Sequence, residues 1–394
     1  MKKYDVIVAG AGSAGFGAAM GAARMGKKVL LFDSNASPGG ITVYAGCPVF
    51  TANAATATLP RRGIYKEFIS ALEGKYISPN GDHSCNTFET DIVLLMTRML
   101  SAAGVDMLFY ATLIDVETFG EKIRNVTLFS CGQKLVFEAD HFVDATGDAT
   151  LADLAGAPTV TASRSDSMTK TLLFRVNNVT SFDKARIKEL FPTLEFPYPW
   201  QDNFMGTPLG DGKDILINLS AVAGDALDPF DRTRMDMELR EQVETIHNWL
   251  RRKVPGFENC RISAAAPSIG VRCSRNILGK EQITCCDLDE NTPVEEPVAF
   301  SKRFYGDHFV DRFHSPWGKF PGGLRPIPYG ALLAQKLTNL TVGGRCISVE
   351  SRAVTSIRLA PCCMMTGEIA GIAAAMGIPS YADLKEELKK QDLF

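Results

Sequence analysis

The sequence predicts an α/β fold in which both ends of the chain build one parallel sheet and a β-rich domain is inserted between them. Near the N-terminus, residues 4–33 show an apolar strand pattern, a glycine-rich turn, an alanine-rich helix pattern and a second strand. Near the C-terminus, a strand pattern at 337–346 precedes a small-residue helix pattern at 361–377. From about residue 160, short strand patterns alternate with proline- and aromatic-rich stretches, which indicates a separate sheet.

A chain of 394 residues is long enough for two hydrophobic cores. We predict a first domain formed by residues 1–160 and 326–394, and a second domain formed by residues 161–325. In the second domain, the stretches TLLFRVNNV and DILINLSAV are typical of strands. A helix is predicted at 231–252, because apolar residues recur there every three or four positions, at Met235, Leu239, Val243, Ile246 and Leu250.

The composition is that of an ordinary globular protein, with 45% hydrophobic and 22% charged residues. The 42 Lys and Arg residues nearly balance the 45 Asp and Glu residues, so we expect a small-molecule partner and no nucleic acid. None of the ten cysteines forms a C-x-x-C motif, which argues against zinc and iron–sulfur sites. We therefore expect reduced thiols, no bound metal and a cytoplasmic location.

Residues 6–23 carry no charge and follow two lysines, so a signal peptide or a membrane helix has to be considered. Five glycines lie within this stretch, at the place where a strand would turn into a helix. No other segment of the sequence competes as a membrane span. We therefore predict a buried strand–turn–helix unit and no membrane span.

The turn after the first strand has the pattern G-x-G-x-x-G, formed by Gly10, Gly12 and Gly15. The first glycine permits a tight turn, the second lets the backbone approach a diphosphate, and the third lets the helix pack closely on the strand. Asp33 ends the next strand, where its carboxylate can accept hydrogen bonds from ribose hydroxyls. The complete context of strand, turn, helix, strand and acid predicts a Rossmann-like dinucleotide-binding domain.

Three more glycine sites favour FAD over NAD as the dinucleotide. Gly39 and Gly40 with Thr42 follow the acidic residue, the turn at 145–148 (ATGD) ends a strand, and the turn at 343–345 (GGR) ends another strand. An extended dinucleotide with a tricyclic head needs contacts at both ends of a domain. Sites from such distant parts of the chain fit that requirement.

With these motifs the chain resembles the FAD-dependent oxidoreductases of the glutathione-reductase type, and most closely a broad bacterial group within them. The resemblance also rests on the stretches DATGDATLADLAGAP, IGVRCSRNILGKEQIT, RPIPYGALL and LTVGGRCISVESRAVTSIRLAPCCMMTGEIAGIAAA. It implies that the N-terminus of the last helix points at the flavin, where the helix dipole stabilises negative charge. The expected FAD contacts are Gly10, Gly12, Ser13, Ala14, Gly15, Asp33, Ser34, Gly39, Gly40, Thr42, Leu113, Ala145, Gly147, Asp148, Gly344, Arg345, Arg358 and Gly367.

Candidate substrate-binding groups are concentrated in the stretch that leads back into the first domain. Arginines there can hold a carboxylate through two hydrogen bonds, and a histidine can move the proton that accompanies hydride transfer. For each residue taken singly, a structural role is the simpler interpretation, a salt bridge for an arginine and a surface or packing position for a histidine. The spacing of the Asp and His candidates also departs from related sequences, because two residues separate them here. The candidates are Arg272, Arg275, Tyr305, His308, Asp311, His314, Arg325 and Tyr329.

In flavin disulfide reductases, two cysteines follow the Gly-Gly pair, and the corresponding positions here hold Thr42 and Cys47. The dithiol is therefore broken, and disulfide reduction through this loop is not expected. Cys47 alone is open to two interpretations, a packed apolar side chain or a reactive thiol beside the flavin. For the second, we expect a helix N-terminus to lower the pKa of the thiol.

We expect an FAD-dependent oxidoreductase that transfers a hydride between the flavin and a small organic substrate, which Arg272 and Arg325 would orient if it carries a carboxylate. The alternatives are a thiol-linked redox enzyme that uses Cys47, and a protein whose FAD is structural or serves a partner. No second G-x-G-x-x-G motif occurs, so the electron donor or acceptor is left open. The sequence also leaves open whether the protein is a monomer or a homo-oligomer.

Overall fold

The computed structural model describes residues 2–50, 63–73, 85–163, 166–195, 206–210, 212–301, 308 and 325–393. The first part of the chain forms β1 (Lys2–Ala9), α1 (Ser13–Arg24), β2 (Val29–Phe32), α2 (Ile41–Tyr44), β3 (Val49–Phe50), α3 (Ile64–Glu73), β4 (Cys85–Asn86), α4 (Glu89–Ala102), β5 (Asp106–Leu108), β6 (Thr112–Phe119), β7 (Lys122–Ser130), β8 (Gln133–Asp144) and α5 (Thr150–Leu154).

The middle of the chain forms β9 (Thr159–Thr161), β10 (Phe174–Asn177), α6 (Lys184–Leu190), β11 (Gly206–Leu209), β12 (Asp214–Ile217), α7 (Pro229–Lys253), β13 (Arg261–Ala265), β14 (Arg275–Ile277), α8 (Cys285–Glu290), β15 (Pro297–Ser301) and β16 (Arg325–Pro328). The last part forms β17 (Leu340–Val342), α9 (Ala360–Ala375) and α10 (Tyr381–Lys390).

The main sheet has the strand order β5-β2-β1-β8-β7-β6, and β17 pairs with the end of β8. Strands β5, β2, β1, β8 and β17 run parallel to one another, whereas β6 and β7 form an antiparallel hairpin, and β7 pairs antiparallel with β8. The predicted α/β class with a Rossmann-like sheet is confirmed. Because β17 joins the centre of the sheet, the two ends of the chain build one layer.

Helices α1 and α9 pack against each other through glycine and alanine. A Cβ atom added to Gly371 would lie 2.1 Å from the backbone oxygen of Ala18, and one added to Gly17 would lie 2.2 Å from that of Met364. Such distances exclude any side chain, so the two backbones are in direct contact. The uncharged stretch at 6–23 is therefore a buried strand and a buried helix. No helix in the described part of the chain is both long and apolar enough to cross a membrane.

A second core lies on the inserted sheet, whose strand order is β11-β12-β10-β13. Helix α7 covers this sheet with the apolar stripe that the sequence predicts, and Met235, Leu239 and Ile246 pack with Phe174 and Ile217. The buried residues of this core lie between 172 and 271, whereas buried residues from 273 to 299 join the core of the main sheet. The domain limits at 161 and 325 stay a prediction.

Candidate functional site

A cleft of about 430 Å³ opens where the parallel strands of the main sheet end. Open α/β sheets bind their ligands at this edge, beyond the carboxyl ends of the strands. Fifteen of the predicted cofactor contacts line the cleft: Gly10, Gly12, Ser13, Ala14, Asp33, Ser34, Gly40, Thr42, Leu113, Ala145, Gly147, Asp148, Gly344, Arg345 and Arg358. The four glycine turns, which are distant in sequence, therefore meet at one site.

The first two glycine turns contact each other at Gly12 and Gly40, where a Cβ atom added to Gly40 would lie 2.7 Å from the Gly12 Cα. The second turn is held against the first by a hydrogen bond from the Gly39 amide to the Ala11 carbonyl at 2.8 Å. A Cβ atom added to Gly12 would meet only the Gly40 Cα, at 3.8 Å, so the space in front of Gly12 is open. Helix α1 begins here without a side-chain cap. Its first N–H groups are therefore available to an anionic group, as a dinucleotide diphosphate requires.

Asp33 directly follows β2 and accepts hydrogen bonds from the neighbouring turns. One carboxylate oxygen accepts from the Ala11 amide at 2.6 Å, and the other accepts from the amide and the side chain of Asn35 at 2.8 and 2.9 Å. The same side chain lines the cleft beside Leu113. Because each carboxylate oxygen has two lone pairs, these three contacts leave one lone pair, on the oxygen that accepts from Ala11, for a ribose hydroxyl group.

Three predicted cofactor contacts pack the fold and do not line the cleft. A Cβ atom added to Gly15 would lie 1.6 Å from the Gly10 carbonyl oxygen, which explains the third glycine of the turn. One added to Gly367 would lie 2.0 Å from the Ala14 oxygen in the contact between α1 and α9. One added to Gly39, whose φ is +125°, would collide with Val43. These glycines bring the walls of the cleft together and are not among the residues that line it.

An ion pair between Asp148 and Arg345 joins the turn after β8 to the turn after β17. Ser274 donates to Asp148, and Arg345 donates to the Ser274 hydroxyl at 2.9 Å. Burial opposes ionisation of Asp148, but Arg345 and these hydrogen bonds outweigh it and lower the pKa of the carboxyl. This wall of the cleft therefore carries a fixed, internally compensated pair of charges.

The opposite end of the cleft is formed by the start of α9. Ala360 and Cys363 line the cleft, and the helix begins without a side-chain cap. The half-buried Arg358 precedes the helix and also lines the cleft. A helix N-terminus carries about half a positive charge, so this end favours an anion or an anionic ring.

Residues 5–390 match the family described as FAD dependent oxidoreductase, which is nearly the whole chain. The chain belongs to the FAD-dependent oxidoreductases. The open space at Gly12, the uncapped start of α1 and the acid at Asp33 fit the dinucleotide part of FAD. No curated protein matches the sequence significantly.

Solved structures show the same fold at low sequence identity. AlpK has 13% identity and a TM-score of 0.51, and the alignment covers 96% of this chain and 63% of AlpK. The p-nitrophenol 4-monooxygenase PnpA from Pseudomonas putida has 10% identity and a TM-score of 0.51, with 100% and 83% covered. The myxobacterial chondrochloren halogenase CndH has 14% identity and a TM-score of 0.50, with 100% and 79% covered. These neighbours do not support the narrower resemblance to the glutathione-reductase type.

In this FAD-dependent oxidoreductase, the predicted substrate residues do not form one group. Arg325 lies outside the cleft lining, and its guanidinium donates to carbonyls at the end of α8 and to the Asn291 side chain at 2.7 Å. Arg275 pairs with Asp153 and donates to the Asp148 carbonyl at 3.0 Å. Both arginines occupy structural positions, because their donors are directed at neighbouring helix ends and turns.

The remaining candidates differ in position. Tyr329 is buried in the core and donates to the Pro379 carbonyl at 3.2 Å, so it is a packing residue. His308 is buried, and its carbonyl accepts from the Thr169 amide at 2.8 Å. Arg272 lies just behind the cleft wall formed by Val271 and donates to the Thr169 carbonyl at 2.6 Å. Tyr305, Asp311 and His314 lie outside the described residues.

Cys47 follows the end of α2, where its amide donates to the Ile41 carbonyl at 3.4 Å. The side chain packs on the small apolar cluster of Leu173, Leu209 and Leu216. Burial raises the pKa of the thiol, although the charges of Arg272 and Arg358 oppose the rise. The expectation that a helix N-terminus lowers this pKa is wrong, because the cysteine lies at the opposite end of the short helix.

Sequence reasoning missed the wall of the cleft that the inserted sheet and its helix supply. Ser268, Ile269 and Val271 line the cleft beside Tyr44, and Arg232 of α7 reaches it from the other side. The Ser268 amide and hydroxyl both donate to the Tyr44 carbonyl at 3.0 Å. These residues carry no glycine motif, and only the stretch IGVR at 269–272 marked the region as part of the family pattern.

Proposed function

We propose that the protein transfers a hydride between FAD and a small organic substrate that carries an anionic group such as a carboxylate. One observation carries the proposal. Besides the glycine turns and the start of α9, the cleft is lined by Ala45, Ile269 and Val271, which supply apolar walls, and by Arg358, which supplies a positive charge. A small pocket with apolar walls and one placed charge is typical of a site that orients a small ligand.

Different residues of the cleft bind different parts of the cofactor and the substrate. The uncapped first turn of α1 and the open space in front of Gly12 receive the diphosphate, and Asp33 receives a ribose hydroxyl. Bound FAD supplies the hydride acceptor or donor. The N-terminus of α9 stabilises negative charge, and the apolar walls exclude water from the reacting atoms.

The positive charge of Arg358 in the cleft favours an anionic substrate. The charges of Arg272 and Arg358 both act to lower the pKa of Cys47 against the effect of burial. Arg358 also lines the cleft, whereas Arg272 does not. A planar guanidinium binds a carboxylate through two parallel hydrogen bonds, which fixes the orientation of a small substrate.

The thiol-linked alternative has less support from the site. Burial raises the pKa of Cys47, and it raises the pKa of Cys363 to about 12. The Cys363 thiol donates to the Arg358 carbonyl at 3.2 Å. Both groups are therefore protonated thiols near neutral pH, whereas the nucleophile in thiol chemistry is the thiolate.

The proposal is tested by reducing the purified holoprotein without oxygen and screening small molecules for flavin reoxidation. Matched pairs of compounds, one with a carboxylate and one with the corresponding amide, separate recognition of charge from recognition of shape. We expect reoxidation by carboxylates and little by their amides. Equal rates for both members of each pair, or a flavin that cannot be reduced, would contradict the proposal.

The role of Arg358 is tested with Arg358→Lys, and Arg325→Lys is the comparison. We expect Arg358→Lys to raise KM for the carboxylate about tenfold at unchanged FAD content, because an ammonium group cannot form the two-hydrogen-bond fork. Arg325→Lys should lower the melting temperature and leave KM unchanged. The reverse pattern would restore Arg325 as the substrate residue that the sequence suggested.

A further inference from the structure

Arg232 lies in line with the buried stripe of α7, although its own side chain is exposed. The spacing from Arg232 through Met235, Leu239, Val243 and Ile246 is three, four, four and three residues, so these side chains share one face of the helix. The four apolar members are buried in the second core. At Arg232 the same face has passed the end of that core and lines the dinucleotide cleft.

Hydrogen bonds hold the start of α7 in place, and they therefore hold the backbone of Arg232 in place as well. The buried Lys170 donates to the Gly224 carbonyl at 2.7 Å, which ties down the segment that leads into the helix. Asp231 accepts from the Asp225 amide at 2.7 Å, and Asp228 caps the helix by accepting from the Asp231 amide at 2.7 Å. The helix therefore cannot turn Arg232 away from the cleft without breaking these bonds.

Arg232 also differs from the two arginines nearest to it on α7. Arg234 pairs with Asp231 and Glu238, and Arg240 pairs with Asp236. Within the described parts of the chain, the Arg232 guanidinium has no ion pair or hydrogen bond. Its charge nevertheless helps to lower the pKa of Asp148, after the larger effects of Arg345 and Ser274.

We propose that Arg232 binds the anionic diphosphate of FAD and so connects the inserted domain to the cofactor. A guanidinium suits this contact, because it presents paired N–H donors to phosphate oxygens. The first turn of α1 offers backbone N–H groups to the same anion. The diphosphate then lies between a backbone wall from the first domain and a charged side chain from the second.

The test is titration of apoprotein with FAD, followed by flavin fluorescence, so that no catalytic activity is needed. Arg232→Gln removes the charge and keeps a side chain of similar length, and Arg240→Gln removes an equal charge from the same helix. We expect Arg232→Gln to weaken FAD binding roughly tenfold, the low end for a charge-assisted hydrogen bond because the site is exposed. The affinity of Arg232→Lys for FAD should lie between those of Arg232→Gln and the unsubstituted protein. The affinity of Arg240→Gln for FAD should stay within about twofold of that of the unsubstituted protein.

Two further measurements identify the group that is bound. ADP has the diphosphate without the flavin, so its binding should weaken by the same factor in Arg232→Gln. Added salt should weaken FAD binding more in the unsubstituted protein than in Arg232→Gln, because salt screens the exposed charge. Equal loss in Arg232→Gln and Arg240→Gln, FAD binding within twofold in Arg232→Gln, or a loss for FAD without a loss for ADP would each overturn the proposal.

Discussion

Glycines have opposite structural roles in two regions of this protein, and the residue type alone does not distinguish them. Between α1 and α9, glycines such as Gly17 and Gly371 have a backbone oxygen where a Cβ atom would stand. At the mouth of the cleft, Gly12 has open space there. The first group removes volume so that two helices can touch, and the second removes volume so that a ligand can enter. Within one G-x-G-x-x-G motif, Gly12 belongs to the second group and Gly15 to the first.

The largest effect is expected in the packed region. In Gly371→Ala, the new methyl group would lie 2.1 Å from the Ala18 oxygen and must push the two helices apart. We expect the free energy of unfolding to fall by about 3 kcal/mol, at the upper end for an overpacked core. Urea denaturation of the apoprotein measures it, and Gly12→Ala is the matched control. Similar free energies of unfolding for Gly371→Ala and Gly12→Ala would contradict the distinction between the packed region and the cleft.

The next effect concerns the cleft alone. In Gly12→Val, the branched side chain would fill the space that the diphosphate needs, so we expect FAD not to copurify while the fold persists. Absorption spectra of the purified protein and circular dichroism of the same sample check both parts. A normal flavin spectrum in this variant would show that the diphosphate does not lie in front of Gly12.

Glu368 adds a pH dependence to the packed region. This buried carboxyl on α9 accepts from the Ile64 amide at 3.1 Å, and burial raises its pKa to about 7. The charge of Glu67 adds to the rise, whereas the Ile64 amide and Arg24 oppose it. Because the pKa is higher in the folded state, folding stability decreases as the pH rises above the unfolded value of about 4.5, and the loss is complete above about 7.

Glu368→Gln should remove this dependence, because an amide cannot ionise and its oxygen can still accept from Ile64. We expect the variant to be more stable than the unsubstituted protein at pH 8, by up to about 3 kcal/mol, and similar to it at pH 5. Urea denaturation at the two pH values measures the difference. A gain of the same size at both values would point to better packing and would exclude the titration of Glu368.

The smallest effect is expected beside the cleft, at Cys47. Its thiol packs on an apolar cluster and its pKa is raised, so Cys47→Ser should retain FAD, flavin reduction and most of the stability. The cost of the hydroxyl group in this cluster should be about 1 kcal/mol. Absorption spectra over a pH series test this. A long-wavelength band that grows with pH and disappears in Cys47→Ser would instead show a thiolate at the flavin.

The backbone wall of the cleft could be predicted from the sequence, because tight turns and close approaches demand glycine at fixed spacings. The predicted turns at Gly10, Gly40, Gly147 and Gly344 do meet at one cleft. The side-chain wall could not be predicted in the same way. Periodicity shows which face of α7 carries Arg232, but only the tertiary fold shows what that face meets. For the same reason Arg325 was expected at the substrate and is found at the end of α8.

The contact between α1 and α9 also determines when the chain can finish folding during synthesis. A ribosome releases α1 first, whereas its partner helix at 360–375 comes almost at the end of the chain. The buried residues of the second core, between 172 and 271, have all been made by then. The second core can therefore form before α9 is made, and a nascent chain that stops before residue 360 exposes the glycine face of α1 and lacks the part of the cleft that α9 supplies.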